Sequence, residues 1–582
     1  MSLASAPDDR APDSAAQRAI LLFAIFSGIL LLVAHEALDA NAAWFNDRSL
    51  RTLWFTLATA PPLFAALCIQ RLGDRRFWLG LAAYTLLLSY LAYYSGRAME
   101  PNGIEVGAVA LPYVWTLIAS GHVLSAWFAV SLRREGYGYP LLFEAAWRMV
   151  STLAQVFAYT GAFWLLLLLW AALFKALGIE FFRELFELPR FIYPVTSLVA
   201  GYGLVIARTR SSLGDAVHLR VLALWRGLLP LAALLALAFA GALLLRGVEP
   251  LWATRHATQL LLALVFALVA LANAAYGKGG EAQPRHAIRW LVTAALTLLP
   301  LFVALAAWAL SLRWRQYGLS LDRLWAALLV FVAGVYALGY AVAALRRDSP
   351  VWLAGIAPVN RAASLIAVVL LLLTQTGALD FRAITAHSLL ARGAELKDED
   401  LGYLRWELGH PGLYALQRLQ TESEPERARQ IAALIARKRR WEFGPVIGDG
   451  PPRLRLAADL GPLPQGLQHF AETHVNGPGS SNDCGEPAEC WLLRADLIPG
   501  GDPEWLRLRM PAPGLANESQ VVQLEVLKPC AQAWCVAEVG VIWRDAEAIR
   551  TLRRELEANH YRPAPQQKLD LEVGGERLEF WR

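Results

Sequence analysis

Gly161-Ala162-Phe163-Trp164-Leu165-Leu166-Leu167-Leu168-Leu169-Trp170-Ala171-Ala172-Leu173 closes an apolar run that opens at Val150 and contains no charged residue. A helix needs roughly 20 apolar residues to cross the hydrocarbon core of a bilayer, and this run supplies them. Runs of the same kind recur on both sides of it, at 19–34, 52–70, 77–95, 106–130, 191–207, 221–245, 257–276, 288–312, 324–345 and 356–376. The chain therefore reads as an all-α polytopic membrane bundle of about eleven transmembrane helices over 19–376. A polar tail follows, read as a soluble helical stalk over 377–445 and a small α+β domain over 446–582.

Composition agrees with that class. The 582 residues are 56% hydrophobic and only 18% charged, against roughly 25% charged in an average soluble domain. Mean hydropathy is +0.38. A net charge of +5 is small for this length and reads as loop anchoring rather than a nucleic-acid surface. The chain opens on Ala6-Pro7-Asp8-Asp9, acidic where a cleavable signal peptide is basic. Residues 1–18 are expected to be a disordered cytoplasmic tail.

Loop charge sets the expected orientation. One alternate set of loops carries fifteen Lys and Arg residues, three in each of five loops, and the other set carries eleven. Positive residues stay on the cytoplasmic side. With an odd number of spans the N-terminus is then inside and the C-terminal domain extracytoplasmic, in the periplasm of a bacterial inner-membrane protein. The cysteines point the same way. One lies in the spans, Cys68, and four lie in the tail as two close pairs, Cys484 with Cys490 and Cys530 with Cys535. Closely paired cysteines outside the cytoplasm read as disulfides. A four-thiolate zinc site usually takes tighter spacing, with about 2–4 intervening residues.

In the tail, residues 380–440 read as helical, interrupted at Gly409 and Pro411. Val521–Val526 and Val536–Val541 alternate like strands, Asp545 stands where it caps a helix to Glu557, and Gly574-Gly575 joins a terminal hairpin. Prolines fall inside several spans, and Pro61-Pro62 is the best candidate for a broken helix lining a cavity rather than a packing kink.

Candidate chemistry is sparse. The ninth loop, Arg313-Trp314-Arg315-Gln316-Tyr317-Gly318-Leu319-Ser320-Leu321-Asp322-Arg323, sets three arginines beside an aromatic pair and a turn glycine. Arg313, Arg315, Tyr317 and Arg323 are the candidate ligand-binding set, because guanidinium forks suit a phosphate or carboxylate headgroup. Interfacial anchoring explains the same residues. The first loop offers Glu36, Asp39 and Asp47 beside His35 as weak catalytic candidates. Residues 179–189 read as an external interfacial helix. Arg226, His122, Gln155, Asn273 and Asn360 are the polar interruptions of the spans. There is no Gly-rich phosphate loop, metal-ligand cluster or Gly-x-Ser-x-Gly elbow, so neither a cofactor nor a metal is expected. The expected partners are membrane lipids and an envelope component or lipid-linked substrate.

Tyr317-Gly318-Leu319-Ser320 followed by Arg323 resembles the Tyr-Gly-Leu-Thr-x-x-Arg signature of the bacterial membrane proteins grouped as domain of unknown function 4153. Ser320 here stands for the more usual threonine and keeps the hydroxyl. Tyr403-Leu404-Arg405 with Leu408, Gly409 and Gly412 is similar to the segment that follows the spans in that family. The resemblance covers most of the chain through about Leu416. It implies a polytopic membrane protein and brings no activity, substrate or catalytic residue. The expectation is non-enzymatic envelope assembly or lipid handling. The alternative is a membrane-embedded transferase acting on a lipid-linked substrate, with the first-loop acids as base.

Overall fold

The computed structural model describes residues 12–99, 106–133, 136–209, 211–254, 256–279, 285–346, 352–393, 396–437, 454–458, 460–473, 488–497, 503–511, 520–530, 534–544, 546–564, 570–573 and 576–578. The chain divides into two compact units, Met1–Ala415 and Leu416–Arg582.

The first unit is helical throughout. Its elements are α1 Ser14–Asp39, α2 Arg48–Cys68, α3 Arg75–Ala98, α4 Val106–Ser131, α5 Tyr139–Ala176, α6 Phe181–Glu187, α7 Pro189–Thr209, α8 Ser211–Arg246 and α9 Glu249–Ala253. They continue as α10 Ala257–Tyr276, α11 His286–Thr297, α12 Leu299–Tyr317, α13 Leu321–Leu345, α14 Ile356–Leu373, α15 Phe381–Leu390, α16 Asp398–Trp406 and α17 Gly409–Glu422. Each apolar run read from the sequence falls on helix. Ten helical segments among the described residues are long and apolar enough to cross a membrane. The run at 52–70 falls short because Arg48, Arg51, three threonines and Pro61-Pro62 dilute α2.

Two other details differ from the sequence reading, each for a local reason. The first helix starts at Ser14, ahead of the expected 19, because Asp13 caps it: its Oδ1 accepts the Ala16 N–H at 2.7 Å. The single run 288–312 is two helices, α11 and α12, meeting at Leu298. Pro300 has no N–H to continue the ladder.

The outward faces are apolar, with Phe157 83%, Leu244 87% and Leu245 88% exposed. A water-soluble protein rarely shows so continuous an apolar exterior. Inside, the two most extensive of the buried clusters hold the helices. One gathers Ile20, Phe64, Phe77, Leu88 and Leu91 from α1 to α3 with residues of α4, α5 and α7. The other gathers Leu261, Leu268, Leu296, Phe302 and Tyr340 from α10 to α13, with α8 and α14. Small residues let backbones approach: a Cβ on Gly201 of α7 would lie 2.6 Å from the Ala24 Cβ of α1.

The second unit begins within α17 and contains α18 Pro425–Ala436, then a five-stranded sheet in the order β1 Leu454–Leu456, β2 Ala488–Ala495, β3 Glu504–Pro511, β4 Gln520–Pro529 and β5 Trp534–Arg544. β1 is parallel to β2 and the other pairs are antiparallel. Alternation places Leu506, Leu508 and Met510 in the core, together with α19 Leu467–Thr473 and Ile549, Leu552 and Leu556 of α20 Ala546–Glu557. Arg507 and Glu525 are register partners and form a buried ion pair at 2.5 Å, with Arg507 also donating to the Ala471 carbonyl. A Cys530–Cys535 disulfide closes the β4–β5 turn. Cys490 is disulfide-bonded, and its expected partner Cys484 lies outside the described residues. β6 Tyr561–Ala564, β7 Asp570–Val573 and β8 Glu576–Leu578 form a second sheet. Val573 pairs with Glu576, the two-residue hairpin read from Gly574-Gly575. Asp545 lies outside the described residues.

Candidate functional site

Helix α2 is held at both ends. Asp47 caps its start, Oδ1 accepting from the Ser49 and Leu50 amides at 2.7 and 3.1 Å. At its end Arg208 of α7 donates to the Ala66 and Ile69 carbonyls at 2.6 and 2.7 Å. Pro61 and Pro62 do not break it. Pro62 cannot donate to the Ala58 carbonyl, and the Ser27 hydroxyl of α1 takes that acceptor instead, at 2.6 Å.

Helical spacing then divides the residues of α2 between two faces. One face, with Arg48, Arg51, Thr52, Phe55, Thr56, Thr59, Leu63 and Leu67, forms a wall of a cavity of about 850 Å³. Tyr113, Leu117, Gly121 and His122 of α4 form the facing wall, and Met149, Val150 and Leu153 of α5 complete it. The opposite face of α2 borders a second groove of about 590 Å³ with Phe23, Leu30, Trp44, Trp54 and Leu81, and no charged side chain lines it. Both volumes fall in the ~300–1,000 Å³ range of small-molecule sites.

The larger cavity is polarised. Thr56 meets the Tyr113 hydroxyl at 2.9 Å and Cys68 meets the Ser125 carbonyl at 3.7 Å. Both contacts pair residues 57 apart, so α2 and α4 run parallel in constant register. In that register His122 and Ser125 stand beside the C-terminal end of α2, and the two arginines mark the other end. From Arg48 to Leu67 the lining extends ~28 Å along the helix axis. The threonine hydroxyls are bound to their own helix: Thr52 donates to the Arg48 carbonyl, Thr56 to Thr52 and Thr59 to Phe55, each at 2.8 Å. The wall between the two ends is thus effectively apolar.

At the basic end, Arg48 Nη1 donates to the Met99 carbonyl. Arg51 donates twice to the Phe45 carbonyl, from Nε at 3.1 Å and Nη2 at 2.9 Å, and lies 5.6 Å from the Phe45 ring centroid. No carboxylate pairs with Arg51 among the described residues. In the sequence, Arg48 and Arg51 count only among the eleven basic residues of the second set of loops. The signal available was their spacing, with Arg, Arg-Thr, Phe-Thr and Thr recurring every three or four residues into an apolar helix.

The first-loop acids are otherwise engaged. Asp47 is the cap just described. Glu36 accepts from Arg190 Nε at 2.9 Å, and the His35 ring lies 3.2 Å from Asp39 and 3.4 Å from the Tyr193 hydroxyl. None of the three acids lines the cavities described. In helix α6, Phe186 is buried, Phe181 is exposed, and Arg183 pairs with Glu180 at 2.6 Å, holding that carboxyl below its usual range.

The ninth loop forms a turn rather than lining one of these cavities. Gly318, at φ 73°, ends α12. Arg323 donates to the Tyr317 and Gly318 carbonyls at 3.1 and 2.7 Å and lies 5.5 Å from the Tyr317 ring centroid. Arg313, Arg315 and Tyr317 are exposed. Ser320 occupies the N-cap position of α13 without a side-chain bond, and the Leu321 N–H is instead accepted by the Tyr403 hydroxyl at 3.0 Å. Burial pushes the Tyr403 phenol up, so it remains a hydroxyl. The two segments that carry the family resemblance therefore meet. Gly412 belongs to the same device, since a Cβ there would lie 2.0 Å from the Leu404 carbonyl.

Two of the polar interruptions of the spans, Asn273 and Asn360, meet, whereas His122 lines the larger cavity and Gln155 bonds Ser151 of its own helix. Asn360 Nδ2 donates to the Asn273 side-chain carbonyl at 2.6 Å and to the Tyr139 hydroxyl at 3.2 Å, and Tyr340 donates to Asn360 Oδ1 at 2.8 Å. This knot joins α5, α10, α13 and α14. Among the described residues no group of three or more His, Cys, Asp or Glu is placed to hold a metal ion. Comparison with family models, curated proteins and solved structures finds no match.

Proposed function

We propose that this chain is a bacterial inner-membrane protein that binds a lipid or similarly hydrophobic envelope component, without catalysing its conversion. The observation that carries the reading is the α2–α4–α5 cavity: about 850 Å³, apolar along its length and basic at one end. The apolar exterior and the ten membrane-length helices support placement in a bilayer. The Cys530–Cys535 disulfide supports an oxidising, periplasmic compartment for the second unit. The Tyr317 and Tyr403 segments support grouping with the domain of unknown function 4153 proteins.

The rival is a transferase acting on a lipid-linked substrate. Two acids of its candidate base set are paired with neighbouring side chains and the third caps α2, which favours binding over chemistry. The test is purification followed by native mass spectrometry of co-purified lipid. Leu117→Trp and Leu63→Trp fill the cavity and are expected to empty it of ligand while the protein still folds. Retention of the same lipid in both variants would place the ligand elsewhere. Turnover of a lipid-linked sugar or phosphate that is lost in Glu36→Gln or Asp39→Asn would instead establish the transferase.

A further inference from the structure

The two grooves along α2 differ in one respect that bears on ligand class. The groove on the Trp44–Trp54 face has no charge, and Trp54 Nε1 donates to the Leu30 carbonyl at 2.8 Å. Hydrocarbon satisfies every part of such a wall. The groove on the other face ends at Arg48 and Arg51, one turn apart on the same side of the helix. Arg51 holds only a neutral carbonyl, so its positive charge is uncompensated by a carboxylate among the described residues. Asp47, next to this end in sequence, accepts two backbone amides of the α2 start. The guanidinium groups also stand in the first turn of α2, where the backbone dipole adds positive potential.

We infer that Arg48 and Arg51 recognise the phosphate of a phosphate-bearing amphiphile whose hydrocarbon chain lies along the α2–α4 walls. The inference rests on the reading of this cavity as a lipid site and adds the headgroup and its orientation. Phosphate is the group that two adjacent planar forks bind best, by charge-assisted and often paired hydrogen bonds. The apolar stretch past Phe55 toward Leu67 takes the chain, and the ~28 Å length of the lining approaches the ~30 Å thickness of the hydrocarbon core. The head therefore lies at the Arg48 end and the tail points toward His122 and Ser125.

The test uses the full-length protein in detergent and measures displacement of a fluorescent fatty alcohol by hexadecyl phosphate, hexadecanol and inorganic phosphate. Wild type is expected to prefer hexadecyl phosphate over hexadecanol by at least about tenfold. Arg51→Gln reduces that preference, and Arg48→Gln with Arg51→Gln abolishes it, so that the two alkyl ligands displace the probe equally. Arg51→Lys keeps a reduced preference. Because Arg48 also holds the Met99 carbonyl, Arg51→Gln alone carries the test if the double variant does not fold. A preference that survives in Arg51→Gln overturns the headgroup assignment and leaves the lipid reading intact. Failure of both alkyl ligands to displace the probe from wild type overturns the lipid reading itself. Inorganic phosphate competing as well as hexadecyl phosphate would mark a soluble-anion site and overturn the amphiphile.

Discussion

The helices before and after α8 solve different problems with similar composition. In the later set, α8 and α10 to α14 close around Phe302, Leu296 and Tyr340, all essentially solvent-free, and the Asn273–Asn360 knot joins three of these helices to α5. In the earlier set, α1 to α5 and α7 leave the grooves on both faces of α2 and a further cavity of about 150 Å³ beside them. Helices that only support one another pack to native density, because each void forfeits dispersion contacts. Two cavities along one helix, one of them with a charged end, are the feature on which the proposed lipid site rests. On that proposal the contrast separates scaffold from site inside one compact unit.

The largest expected effect tests the scaffold side. Phe302→Ala should destabilise by about 3 kcal/mol, the low end for a buried phenylalanine, in equilibrium unfolding from mixed micelles. Leu117→Ala, on the cavity wall, should cost less than about 1 kcal/mol. Equal losses would erase the distinction. Next, Asn360→Leu takes the acceptor from the buried Tyr340 hydroxyl, while Tyr139 and Asn273 keep their mutual bond at 2.7 Å. It should cost about 1–2 kcal/mol, between the value for an unmet buried group and the smaller mean measured within membranes, and leave ligand affinity unchanged. A loss of ligand with no loss of stability would move the site into the knot. Smaller still, Tyr403→Phe removes the acceptor of the Leu321 N–H and should cost about 1 kcal/mol. Tyr403→Phe and Arg323→Gln together should fall short of the sum of their separate losses, because both act on one turn. Strict additivity in a double-mutant cycle would show two independent contacts. The smallest effect belongs to Glu36→Gln: its pair with Arg190 is exposed, so no measurable change in stability or lipid binding is expected.

What the sequence made legible follows the reach of its physics. Hydropathy located a helix under every apolar run, because a bilayer-length helix is written in consecutive residues. Pro61-Pro62 reads as a break lining a cavity, and the structure keeps only the second half of that reading: α2 stays continuous and lines a cavity on each face. The cavity itself was not legible, since it draws on α2, α4 and α5 and on a register between helices that no local pattern encodes. The arginines of the ninth loop stand out by density, yet Arg323 bonds carbonyls presented by the Gly318 turn, and the next helix start is held by Tyr403, 82 residues beyond Leu321. Asp47 shows the same limit: a cap and a catalytic acid look alike until the next helix start is placed.

Helix α5 is 38 residues long, which is ~57 Å beside a bilayer interior of ~30 Å. Its early turns carry Glu144, paired with Arg148 and Lys278, a few residues ahead of Met149, Val150 and Leu153 on the cavity wall. No proline or glycine separates Glu144 from Leu153, so an ion-paired surface and a cavity wall are carried on one continuous run of helix.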